Sequence, residues 1–134
     1  MEDKDEIYVV WNATESITGR CKMLSLYDSK EGLSLLISAE YPDVREVEFK
    51  FDLKDVVGYK FANDSYTWRS DAAQKRKKDW SIFKVEDSRY LQWFKDETYN
   101  AVNLSGATHF SFLLEESGVD IVSLNDPEVI VRIV

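Results

Sequence analysis

His109 is the only histidine of the chain and Cys21 its only cysteine. Together they bound the nucleophilic and general-base chemistry open to this sequence. A histidine-based dyad must use His109, and a general base needs a positioned partner within hydrogen-bond reach, which spacing alone does not supply. On strand alternation His109 falls with Ser111, Leu113 and Glu115, opposite Phe110, Phe112 and Leu114. It is therefore a candidate polar site, and no catalytic residue is assigned. Cys21 lacks the local signature of the cysteine-nucleophile families, and free cysteine commonly behaves as a small buried hydrophobe.

The carboxylates are many, but none forms a metal-ligand pattern. Glu115, Glu116, Asp120 and Asp126 fall near turns in the acidic C-terminal third. They lack the regular spacing and central glycine of a calcium loop, so they are expected to form a solvated acidic rim that serves as an interaction surface. A single cysteine rules out an intramolecular disulfide and a thiolate cluster. No metal and no cofactor are expected.

One compact basic cluster, Lys75 to Lys78, lies between Trp68 and Trp80. Aromatics interleaved with bases can stack on nucleic-acid bases. The charge elsewhere opposes that reading. The net charge is −8, with −6 in residues 1–68, +4 in residues 69–95 and −6 in residues 96–134. Such a body repels nucleic acid and anionic membrane, and it suits a basic partner or simple solubility.

These residues must be positioned by a single domain spanning residues 1–134. Hydrophobic residues make up 44% of the chain and aromatics 13%, enough for a packed core. Residues 1–6 read as a frayed acidic N-terminus without the apolar region of a signal peptide. No apolar run approaches the roughly 20 residues that span a bilayer. A cytoplasmic protein without a membrane role is expected.

Short β-rich segments follow one another at Ile7–Trp11, Cys21–Tyr27, Leu33–Glu40, Val44–Phe51 and Val56–Phe61. The cleanest alternation is in Val44–Phe51, with Val47, Phe49 and Phe51 inward and Glu46, Glu48 and Lys50 outward. Their connections are too short for parallel crossovers. Residues 66–79 read as an exposed polar excursion, followed by a strand at Trp80–Val85. Ser88 then supplies an N-cap for a helix over 89–102, with Tyr90, Trp93, Phe94, Glu97 and Ala101 on one face. Strand patterns return at Thr108–Glu115, Val119–Leu124 and Val129–Val134.

The expected fold is α+β. It consists of an antiparallel meander of about seven or eight strands, curled or partly barrel-like, with the one main helix packed on it. Several late strands are apolar on both faces, so either the sheet curls or a second chain covers it. The last strand carries only Arg132 as a charge, which suggests a homodimer through a sheet face or edge. In such a fold Tyr90, Trp93, Phe110 and Phe112 would line a ligand pocket between helix and sheet, or serve as core.

The segment Trp80–Phe94, followed by Thr108-His109-Phe110, resembles a pattern of small uncharacterised bacterial α+β domains. In these a strand leads into a helix beginning Ser-x-Tyr-x-x-Trp, and the next strand opens with a histidine. Ser88, Tyr90, Trp93, Phe94 and His109 carry the resemblance, which covers about the C-terminal 55 residues. It implies a bacterial context and no particular activity.

A non-enzymatic protein-interaction module ranks first, one version being an immunity or antidote protein that covers a basic toxin. A small-molecule-binding domain built on the aromatic helix–sheet interface ranks second, and an enzyme using His109 third.

Overall fold

The strands form two antiparallel sheets packed face to face, and alternation along each strand decides which side chains enter the space between them. The computed structural model describes residues 5–66 and 79–134. Within them the elements are β1 (Ile7–Val10), β2 (Thr18–Ser29), β3 (Gly32–Tyr41), β4 (Arg45–Asp52) and β5 (Val56–Asn63). After residue 79 come β6 (Ile82–Glu86), α1 (Arg89–Glu97), β7 (Thr108–Leu114), β8 (Ser117–Ser123) and β9 (Glu128–Ile133). The Lys75–Lys78 cluster, Trp68, most of the expected excursion and the first four residues lie outside the described residues.

One sheet, here sheet A, has the order β1-β6-β7-β8-β5. The other, sheet B, has the order β2-β3-β4-β9. The alternating apolar sets meet between them. Leu35, Ile37, Val47 and Phe49 from sheet B and Phe110, Phe112, Val119 and Ile121 from sheet A are fully buried. Phe49 meets Phe112 edge-on at 5.0 Å between ring centroids, and Phe51 meets Phe110 at 5.7 Å. Burial of each such ring contributes roughly 2–3 kcal/mol.

This arrangement corrects the expected curled sheet of seven or eight strands. There are nine strands among the described residues, in two sheets that are not closed into a barrel. The physical reason is that each sheet buries the apolar face of the other, so neither has to curl over its own core. The antiparallel α+β character holds. No helix among the described residues is long and apolar enough to cross a membrane.

The helix is also shorter than the aromatic spacing predicts, ending at Glu97 rather than near residue 102. Thr98 returns its hydroxyl to the Phe94 carbonyl at 3.0 Å, and Tyr99 and Asn100 take positive φ values of 51° and 57°. The Asn100 N–H then closes on the Lys95 carbonyl at 2.9 Å, a left-handed cap that stops propagation. Tyr90 and Phe94 lie over the outer face of sheet A, where Tyr90 packs edge-on against His109 and on Phe94.

Candidate functional site

Alternation on β7 points His109 and Ser111 away from the inter-sheet core, onto the face that α1 covers. The β7–β8 hairpin turns through Glu115 and Glu116, the latter at φ 64°, and so pairs Leu114 with Ser117. That register sets Ser111 opposite Asp120 and His109 opposite Val122. Asp120 is therefore the diagonal neighbour of His109 on the outer face, within reach of a long side chain. On the far side of Asp120, β5 contributes Lys60 as its cross-strand partner.

His109 is 3% exposed and bonded at both ring nitrogens. Its Nδ1 lies 2.6 Å from Ser88 Oγ, and its Nε2 lies 2.7 Å from Asp120 Oδ1. Ser88 is the N-cap of α1, and its Oγ accepts the Leu91 N–H at 3.0 Å. The directions of these bonds follow from the inventory of protons. An ionised Asp120 can only accept, so a neutral imidazole carries its hydrogen on Nε2, leaving Nδ1 to accept from the Ser88 hydroxyl. Amide, hydroxyl, imidazole and carboxylate then form one directed chain that ends on Asp120.

The carboxylate end of this chain opens on a cavity of about 660 Å³. Its floor is the outer face of sheet A around His109, Ser111 and Asp120. Its walls are the first turn of α1 at Arg89 and Tyr90, the β7–β8 turn at Glu115 and Glu116, and the starts of β1 and β2. The wall is strongly charged: Glu6, Asp64, Glu115, Glu116 and Asp120 against Arg20, Lys60 and Arg89. The Lys60 ammonium rests 4.6 Å above the centre of the Tyr90 ring. Glu6 also accepts the Arg89 N–H at 2.9 Å, placing a carboxylate at the helix N-terminus, where the dipole favours it. Burial, with the nearby Asp120 charge adding to it, raises the Tyr90 phenol above its ordinary pKa.

Hydroxyl, imidazole and carboxylate are the groups of a serine-nucleophile relay. Their placement here differs in its consequence. Ser88 is 7% exposed, is not among the residues bordering the cavity, and holds the helix cap. The group presented to the cavity is Asp120, with 24% of its side chain exposed. Ser88 and His109 fix that carboxylate in place. Cys21 borders the same cavity but is 1% exposed, and burial pushes its thiol up to about 11, so it is no thiolate at neutral pH.

The residues singled out from the sequence separate as follows. His109, Tyr90, Glu115, Glu116 and Asp120 come together around the cavity. Asp126 does not, and pairs instead with Lys84 at 3.4 Å. Phe110 and Phe112 lie in the inter-sheet core on the opposite face of sheet A from Tyr90, so these three do not share a wall. Trp93 is 52% exposed, leaning on Phe94. Ser88 was legible as a cap but not as a partner of His109, and Lys60 and Glu6 carried no signal. No group of three or more metal-ligating side chains occurs among the described residues. No family model, curated protein or solved structure matches the chain.

Proposed function

We propose that this chain is a non-catalytic binding module whose cavity on the outer face of sheet A receives a positively charged group. The observation that carries this reading is the chain of bonds from Leu91 through Ser88 and His109 to Asp120. Two buried polar groups hold one carboxylate at a cavity wall, a costly arrangement to bury unless every member is satisfied. Among the described residues that border the cavity, five carboxylates stand against three cations, an excess of negative charge. A primary amine or guanidinium would meet Asp120 with charge-assisted hydrogen bonds, beside a Tyr90 ring whose face Lys60 already occupies.

The test is a thermal-shift and calorimetric screen with small amines, guanidines and polyamines, run on the wild type and on Asp120→Asn. Stabilisation of the wild type that disappears in Asp120→Asn supports the reading, since a ligand binding only the folded state raises its stability. Equal shifts in both proteins, or none in either, count against it.

A second reading is favoured by the position of Glu115 and Glu116 on the rim of the same cavity and by the net charge of −8. Here the cation is a lysine or arginine on a basic partner protein, which the acidic rim steers, as an antidote would cover a toxin in the cytoplasm. Retention of one basic protein at low salt, lost at high salt and lost with Asp120→Asn, would select this version. A serine-hydrolase reading is weaker, because Ser88 is buried as a helix cap and does not border the cavity.

A further inference from the structure

Among the described residues four strands form the sheet edges, and three of them are spoiled for pairing with another chain. β2 has register irregularities between Thr18 and Cys21 and between Met23 and Ser25. β5 has one between Val56 and Gly58, and β1 is only four residues long. Bulges and short length are the usual protection of an exposed edge. β9 has neither. It pairs with β4 through six consecutive residues without a shift, and no strand of the described residues pairs with its other side. Val131 is 50% exposed and Ile133 86%.

The direction of the free backbone groups follows from one bond. The Val134 N–H donates to the Val44 carbonyl at 3.5 Å, and these two residues continue the β4–β9 register. In an antiparallel ladder hydrogen-bonded pairs alternate with non-bonded ones. Residues 128, 130 and 132 therefore bond to β4, and Val129, Val131 and Ile133 turn their N–H and C=O groups to the open edge.

We infer that β9 pairs antiparallel with β9 of a second copy, about a twofold axis at Ile130, joining the two B sheets into one of eight strands. This inference is independent of the cavity. With the axis at Ile130, Val129 faces Val131 of the second copy and Val131 faces Val129. Those are the residues whose backbone groups point outward, so both pairs close their hydrogen bonds. Ile130 faces its own equivalent in a non-bonded pair, where side chains approach most closely.

The same register sets Glu128 opposite Arg132 of the second copy, twice over. On the outer face Glu128 already neighbours Lys50 of β4, and Arg132 neighbours Glu46. The row across the junction thus reads Lys50, Glu128, Arg132, Glu46, alternating in sign over both chains. Arg132 bonds Glu48 at 3.0 Å within its own chain, and its five N–H donors leave room for a second carboxylate. An axis shifted one residue, to Val131, puts Glu128 opposite Val134 and forfeits the charge pairing. Charge therefore selects one register and a closed, self-complementary contact.

Light scattering on the eluting protein across a concentration series is the first readout, with twice the 15.6 kDa chain mass expected. Val131→Pro removes an edge-facing N–H that β4 does not use, so it should yield a monomer with an unchanged far-ultraviolet circular dichroism spectrum. Mild oxidation should then cross-link Ile130→Cys efficiently and Val131→Cys poorly, the buried Cys21 taking no part. Monomer mass at every concentration overturns the inference. So does a dimer that survives Val131→Pro in a folded chain, or preferential cross-linking through Val131→Cys.

Discussion

The ring of Phe94 fills the space above Gly58: a Cβ on Gly58 would lie 2.4 Å from Phe94 Cζ. A Cβ at this position cannot coexist with the Phe94 ring where it lies, so the ring must swing aside or α1 must shift. Gly58→Ala should destabilise the fold by about 1–3 kcal/mol, the usual cost of overpacking. Shortening the ring with Phe94→Leu should remove most of that penalty. A double-mutant cycle by urea denaturation would show the coupling, and additive effects would mean that helix and strand do not meet as described.

Ser88 serves the helix and the histidine at once. Ser88→Ala should cost about 1 kcal/mol as a lost cap and roughly a further 1–2 kcal/mol from an unsatisfied buried imidazole nitrogen. Ser88→Thr, which keeps the hydroxyl, should recover most of it. Nitrogen-15 spectra of His109 should show the hydrogen on Nε2 in the wild type. A hydrogen on Nδ1 with none on Nε2 would reverse the bond to Ser88 and detach Asp120 from the chain.

Alkaline pH should weaken the fold chiefly through Cys21 and Tyr90, the exposed Tyr59 phenol, raised by its hydrogen bond to Asp28, acting in the same sense. Burial raises Cys21 from 9.0 to about 11, and it also raises Tyr90. A folded pKa above the unfolded one means that the folded chain binds the extra proton. The stability this contributes is complete below the unfolded pKa and is lost as pH rises toward the folded one. Between pH 9 and 11 the Cys21 contribution falls by about 2–3 kcal/mol, at 1.36 kcal/mol per unit. Denaturation midpoints measured across that window should decline, and Cys21→Ala should flatten the decline even if it lowers the overall stability. The thiol should also resist alkylation at neutral pH until the chain unfolds.

Acid should act in the opposite sense at Glu48. Hydrogen bonds from Ser34 and Arg132 hold its carboxyl below the ordinary range. Its contribution is present above the unfolded glutamate pKa and is lost as pH falls below about 4. The pair is solvated, so the effect is a few tenths of a kcal/mol. Ser34→Ala should shift the Glu48 titration upward in carbon-13 spectra, while an unmoved titration would mean the bond contributes nothing.

Much of the strand layout was legible because the period of two is local. Val47-Glu48-Phe49-Lys50-Phe51 and Phe110-Ser111-Phe112 announce both their conformation and their buried faces. The division into two sheets was not legible. β5 leaves its chain neighbour β4 and pairs with β8, and β9 returns to β4, and such long-range pairings leave no mark on local sequence. The site was half legible for the same reason. Alternation placed His109 opposite Phe110, but nothing in the sequence says which face α1 will cover. Of the two readings open for Tyr90, Phe110 and Phe112, pocket or core, Phe110 and Phe112 take the core, on the other face of the sheet from Tyr90. A two-residue turn at Glu115-Glu116, had it been fixed, would have brought Asp120 beside His109 by counting alone.

β7 carries two structures on one strand, with Phe110 and Phe112 facing the core and His109 and Ser111 facing the cavity. Inserting or deleting one residue within β7 would exchange the two sets, setting an imidazole among phenylalanines and phenylalanines in the cavity. Divergence of this site is thereby channelled. It can proceed by substitution along β7 and β8, or by lengthening the loops at the cavity mouth, but a frame change inside the strands would abolish fold and site together.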